Sequence, residues 1–212
     1  MGLFDLHCHL LPDIDDGKVP AEGLPRVLQI YKESGFDGLA FTPHIFNPYV
    51  TTKTERLREA WNQGKRIGEA MGLRMHLGSE LFLGSQQEII SIPIAGRYAL
   101  CEFPTTLPLA GWFEKLETLV SQRLVPLVAH VERYRWLTVE SVDFQRIKAL
   151  GCLIQVNVSA ALDGSALPYL EADVVDVMAT DNHGLDDETP AQLVMQMTKW
   201  PKVFARMEAL GL

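Results

Sequence analysis

Short apolar runs, each with a histidine, an acid or an amide at or just beyond its end, set the strongest limit on how this chain can fold. Seven such runs occur: Phe4–His9, Gly38–Thr42, Arg74–Ser79, Tyr98–Phe103, Leu124–His130, Cys152–Val158 and Val174–Thr180. Runs this short and this apolar read as strands buried on both faces. Between them, Pro20–Ser34, Thr54–Met71, Trp112–Gln122, Val139–Leu150 and Leu167–Ala172 read as helices. Ala191–Lys199 reads as a last helix ahead of Pro201. Strands alternating with helices predict a parallel sheet with the helices outside it. Seven strands in 212 residues suit a compact α/β barrel better than an open doubly wound sheet. No GxGxxG or GxxxxGK[ST] pattern follows the first run, so a nucleotide-binding reading loses its main support.

The length favours one domain over residues 1–212. Hydrophobic residues at 47% and charged residues at 22% are ordinary for a globular chain and argue against disorder. With 19 Lys+Arg against 27 Asp+Glu, the net charge is -8, so no nucleic-acid surface and no polybasic membrane arm are expected. Apolar runs such as Leu124–Ala129 fall far short of the ~20 residues of a membrane span. Met1–Asp5 has neither a basic region nor a cleavable apolar stretch, so no signal peptide is expected and the placement predicted is cytoplasmic. Cys8, Cys101 and Cys152 are odd in number and lie in apolar runs, which predicts buried thiols in a reducing compartment. Strand alternation points Cys8 away from His7 and His9.

The chemistry collects at or just beyond the ends of the runs. His7 and His9 close the first and His44 follows the second; Glu80 follows the third and Glu102 closes the fourth. His130 closes the fifth, Asn157 comes at the end of the sixth, and Asp181 with His183 follows the seventh. Five of the six histidines fall at these places and only His76 lies within a run. In an α/β barrel all these ends meet on one face, where active sites lie. Bringing Glu80, Glu102, Asp16 and Asp181 together without cations would be costly. Mixed imidazole and carboxylate donors suit manganese, iron or zinc rather than a dedicated magnesium or calcium site. The donors are too many for one ion, so two or three divalent transition-metal ions are expected. A cluster of this kind activates water for hydrolysis, with phosphoesters the first candidate. Arg133 could grip phosphate with its guanidinium fork or pair with Glu132 or another acid at the surface.

Asp5-Leu6-His7-Cys8-His9-Leu10-Leu11-Pro12-Asp13-Ile14-Asp15-Asp16-Gly17 resembles the opening motif of the PHP (polymerase and histidinol phosphatase) superfamily. The later blocks, in order, are similar too: Thr42-Pro43-His44, Gly78-Ser79-Glu80, Glu102-Phe103-Pro104, His130 through Tyr134, and Thr180-Asp181-Asn182-His183. Within that superfamily the chain looks most like the CpsB/CapC-type manganese-dependent protein-tyrosine phosphatases tied to capsule and exopolysaccharide regulation. The resemblance implies a TIM-like (β/α)7 barrel holding three ions, manganese first, with iron or zinc as alternatives. It assigns His7, His9, Glu80 and Asp181 to one ion, and Glu80, Glu102 and His130 to the second. Asp16, His44 and His183 go to the third, Asp16 being preferred to Asp15 because it adjoins Gly17. Arg133, Glu80 and Asp181 are the catalytic candidates, with Arg133 binding the phosphate.

The implied substrate is a phosphotyrosine protein, a bacterial tyrosine kinase among the candidates, and a homo-oligomer stays open. Competing readings are a small-molecule phosphatase acting on histidinol phosphate or a sugar phosphate, a TatD-like nuclease or amidohydrolase, and a catalytically weak phosphoprotein- or metal-binding member. One departure from the family is chemical. An arginine that binds phosphate is expected five residues after His183, where this chain has Glu188.

Overall fold

The computed structural model describes residues 2–86 and 88–212; Met1, which opens the N-terminal stretch read above, and Gln87 lie outside them. In chain order the elements begin β1 (Leu3–Cys8), α1 (Leu24–Glu33), β2 (Phe36–Phe41), β3 (His44–Ile45), α2 (Thr54–Ala70), β4 (Arg74–Leu77), β5 (Glu80–Phe82) and β6 (Tyr98–Glu102). They continue α3 (Trp112–Ser121), β7 (Val125–Val128), α4 (Val142–Ala149), β8 (Leu153–Asn157), α5 (Val158–Asp163), α6 (Leu167–Glu171), β9 (Val177–Ala179), α7 (Thr189–Lys199) and α8 (Pro201–Ala209). A short 3₁₀ turn covers Val131–Arg133.

Strand pairing is parallel throughout, in the orders β1-β2-β4 and β3-β5-β6-β7-β8-β9. The two sheets are continuations of each other. β2 resumes as β3 after Thr42-Pro43, and β4 resumes as β5 after Gly78-Ser79. Bonds from Gly78 N–H to the Phe41 carbonyl (2.8 Å) and from Glu80 N–H to the Pro43 carbonyl (3.0 Å) carry the pairing across the breaks. Pro43 has no N–H to give, and a Cβ at Gly78 would run into Ile94. The last strand position returns to the first: Asp181 N–H donates to the His7 carbonyl and His9 N–H to the Asn182 carbonyl, each at 2.8 Å. Seven parallel strand positions, with helices packed outside, make an α/β arrangement of TIM-like kind. One apolar core runs through it from Leu3 to Met207, with Leu39, Leu100, Leu127 and Ile154 fully enclosed.

The structure corrects the sequence reading in several places. The run over Arg74–Ser79 ends as a strand at Leu77, so Glu80 opens β5 instead of closing a strand. Pro20–Ser34 is helical only from Leu24, and Val174–Thr180 is a strand only over Val177–Ala179. The helix read from Val139 begins at Val142, because the Ser141 side chain caps it by accepting the Phe144 N–H. Leu167–Ala172 is not the only helix between Asn157 and Asp181; α5 precedes it. Pro201 does not end the helical region but begins α8, since the first helical position needs no N–H donor.

Candidate metal centre

Strand alternation sends His7 and His9 to one side of β1, and their Nε2 atoms lie 3.1 Å apart. Glu80, at the start of β5, sits between the histidines. Its Oε2 is 3.3 Å from both of those nitrogens and 3.0 Å from His44 Nδ1, and its Oε1 is 2.8 Å from His130 Nε2. Asp181 Oδ1 lies 3.3 Å from His7 Nε2 and 3.5 Å from His9 Nε2. Glu102 Oε1 is 3.1 Å from His44 Nδ1. Asp16 Oδ1 is 3.3 Å from His183 Nε2 and 3.6 Å from His44 Nε2. All nine residues named from the sequence as metal donors therefore meet in one cluster, His44 and Glu80 from the first positions of β3 and β5. His130 (φ 31) and Asp181 (φ 51) reach their places in the left-handed backbone region, which non-glycine residues rarely adopt.

The donor set calls for cations. His7 Nδ1 lies 3.1 Å from Gln155 Oε1 and His9 Nδ1 2.7 Å from Asp15 Oδ2; each oxygen can only accept, so each Nδ1 carries the proton. In the neutral rings both Nε2 lone pairs then face each other and the Glu80 carboxylate. His183 Nδ1 donates to the Asp181 carbonyl at 2.8 Å, which turns its Nε2 lone pair toward Asp16. Asp16 Oδ1 is buried and has no hydrogen-bond partner among the described residues. Protons or metal ions must fill these gaps, and imidazole with carboxylate is a transition-metal donor set.

Without a metal, protons do the work. Burial lowers the His44 pKa, but bonds to Glu102 and Glu80 more than reverse this and push it up to about 10. At His9, burial is likewise outweighed by Asp15 and Glu80, and the pKa stands well above the usual imidazole value. Burial raises the Glu80 and Asp181 carboxyls, yet the surrounding imidazoles hold both below the ordinary carboxylate range.

Among the described residues, four donor groups have atoms within 4.8 Å of one another: His9, Asp16, His44 and His183; His7, His130 and Asp181; His7, His9 and Glu80; and His44, Glu80 and Glu102. His44 takes part in two of them, and His130 groups with His7 and Asp181 rather than with Glu102. Arg133 is half exposed at the edge of the cluster, and its Nη2 donates to Asp181 Oδ2 at 2.7 Å. Asn157 Nδ2 holds the same oxygen at 2.9 Å. Glu188 is exposed just before α7. Beside the cluster lies a cleft of about 640 Å³ lined by Leu162, Asp181, His183, Leu185 and Gln192 among others.

Sequence reasoning missed the groups behind the donors. Gln155 serves His7, Asp15 serves His9, and Tyr134 Oη lies 3.2 Å from His130 Nδ1. Gln155 did leave a signal: a glutamine inside an otherwise apolar strand is a buried polar group in search of a partner. Cys8 points away, its thiol donating to the Ala40 carbonyl at 3.2 Å, and burial pushes its pKa well up.

The family model for capsular polysaccharide synthesis proteins of the CpsB/CapC type matches residues 3–200. The chain belongs to the CpsB/CapC family. Among its relatives is the tyrosine-protein phosphatase CpsB of Streptococcus pneumoniae, 26% identical over 208 residues, which cover 89% of this chain and 86% of that protein. The tyrosine-protein phosphatase YwqE of Bacillus subtilis is 26% identical over 201 residues, covering 86% and 78%. A crystal structure from work on YwqE and CpsB, described as unique metal-dependent tyrosine phosphatases, superposes with a TM-score of 0.78. It is 21% identical and covers 97% of this chain and 92% of its own. That likeness extends the CpsB/CapC fold to nearly the whole of this chain.

Proposed function

We propose that this CpsB/CapC-family chain is a metal-dependent phosphoester hydrolase acting on phosphotyrosine in proteins, with residues 1–212 as one domain. The observation that carries the reading is the pair of imidazole lone pairs of His7 and His9 converging on Glu80 and Asp181, a grouping that metal ions, or protons in their place, must neutralise. His7, His9, Asp16, His44, Glu80, Glu102, His130, Asp181 and His183 are the residues that would hold two or three ions, manganese first. When bound, such ions acidify water and neutralise charge on a transferring phosphoryl group. Glu80 serves both sides of the cluster, because its two oxygens face different histidines.

Arg133 keeps Asp181 oriented through one nitrogen, and on this half-exposed side chain the other N–H donors would take phosphate oxygens. The cleft beside Asp181 and His183 offers Leu162 and Leu185 to an aromatic leaving group. A tyrosine kinase of the same cell fits as substrate. No helix among the described residues is long and apolar enough to cross a membrane, and a cytoplasmic site of action accords with such a substrate.

The test is a hydrolysis screen of manganese-supplemented protein against an aryl phosphate, a phosphotyrosine peptide and histidinol phosphate. Turnover of the first two, abolished by chelator, is expected. Preference for histidinol phosphate would move the reading to a small-molecule phosphatase. No turnover of any of the three would overturn the hydrolase reading.

A further inference from the structure

Asp15 was set aside as a donor in favour of its neighbour, and its surroundings show a different task. Its side chain is fully enclosed. Oδ2 accepts from His9 Nδ1 at 2.7 Å and from the His44 backbone N–H at 3.1 Å, and Oδ1 accepts from the Gly17 backbone N–H at 3.2 Å. The segment around it is stitched down on both sides. A Cβ at Gly17 would land on the His9 carbonyl oxygen, so only glycine lets the loop lie this close. Lys18 N–H donates to the His183 carbonyl at 2.7 Å. The four residues Asp15–Lys18 thus touch His9, His44 and His183, and among them stands Asp16 with its unpartnered buried oxygen. These are the members of one donor group, brought together from three separate stretches of chain.

We propose that Asp15 is a positioning residue for the side of the cluster built by His9, Asp16, His44 and His183. Holding Nδ1–H of His9 leaves Nε2 as the donor atom. Accepting the His44 amide fixes the second ring's starting point, and accepting the Gly17 amide shapes the turn that presents Asp16. A carboxylate behind a ligating imidazole also raises its basicity, and losing such a partner typically costs about 10–100-fold in metal affinity. Among the described residues Asp15 makes no hydrogen bond to His7, His130 or Asp181, and it is Gln155 that holds His7, so an ion on those three donors is left untouched.

This inference rests on the metal-dependent reading above, and one experiment separates the two. Manganese is titrated into metal-stripped protein, and the EPR signal of the free ion counts bound ions and their affinities without any turnover. In Asp15→Ala the ions that use His9, Asp16 or His44 weaken about 10–100-fold while an ion on His7, His130 and Asp181 keeps wild-type affinity. Asp15→Asn can still accept from His9 through its carbonyl oxygen and falls between wild type and Asp15→Ala. Urea unfolding of the stripped variants shows whether a loss reflects misfolding. Wild-type affinities throughout in Asp15→Ala overturn the positioning role. So does equal weakening of every ion in both variants, which marks Asp15 as a general structural residue. A wild-type chain that binds no manganese overturns the metal-dependent reading together with this inference.

Discussion

Single side chains decide how this site would meet phosphate. Arg133 is the cation at the edge of the cluster, and it shares Asp181 with Asn157. A charge-assisted contact that tightens in the transition state contributes roughly 2–4 kcal/mol, or about 10²–10³ in rate. Arg133→Ala is expected to lower kcat/KM on an aryl phosphate at least about tenfold with metal content unchanged, read from steady-state kinetics on metal-matched protein. Silence there would mean the guanidinium only orients Asp181. Glu188 stands where an arginine was expected from the resemblance, and its carboxylate repels an anionic substrate. Glu188→Arg should therefore lower KM for a phosphotyrosine peptide, and an unchanged KM would show that this position does not reach the substrate. The residue types at the run ends were legible in sequence. Which atom of each faces the cluster was not, because His7 is oriented by Gln155, 148 residues away.

At the scale of elements, the strand ends carry opposed charge that must be balanced. Imidazoles raised in the folded state, as at His9 and His44, add stability that is complete below their unfolded value of about 6.5. That stability is lost as pH climbs through the folded values, about 10 for His44. The depressed carboxyls Glu80 and Asp181 contribute above the usual carboxylate range and lose their share as pH falls through their lowered values. Metal-stripped protein should therefore melt highest at roughly pH 5–6.5 and progressively lower toward pH 10. Ion-loaded protein should resist the alkaline fall, because cations replace the lost protons. Identical melting profiles with and without metal would contradict this account.

Below the cluster, Asp5 fastens β1 to β9 and α1. It accepts from the Thr180 amide at 3.1 Å and the Tyr31 hydroxyl at 2.9 Å, and also from the Thr180 hydroxyl. Asp5→Ala strands those buried donors and is expected to cost about 2–4 kcal/mol in urea unfolding of stripped protein. A loss under about 1 kcal/mol would mean that water or a shifted side chain satisfies them.

For the whole molecule, the core from Leu3 to Met207 is large enough to hold the fold without the ions. Elemental analysis of protein prepared without chelator should find two or three transition-metal ions per chain. Chelation should abolish turnover while unfolding stays cooperative, and loss of cooperativity would make the ions structural. The alternation of apolar runs and amphipathic stretches sufficed to predict parallel strands with helices outside, because burial on both faces leaves its mark residue by residue. It also placed the donors at one end of the molecule, since parallel strands share a direction. The break at Gly78-Ser79, the helix starting at Pro201 and the different surroundings of Asp15 and Asp16 emerged only in three dimensions. The break and the setting of Asp16 depend on partners remote in sequence: Ile94 blocks a side chain at Gly78, and His44 and His183 reach Asp16 from distant parts of the chain. A local pattern records whether a residue is buried; its partner is chosen by how the ring of strands closes.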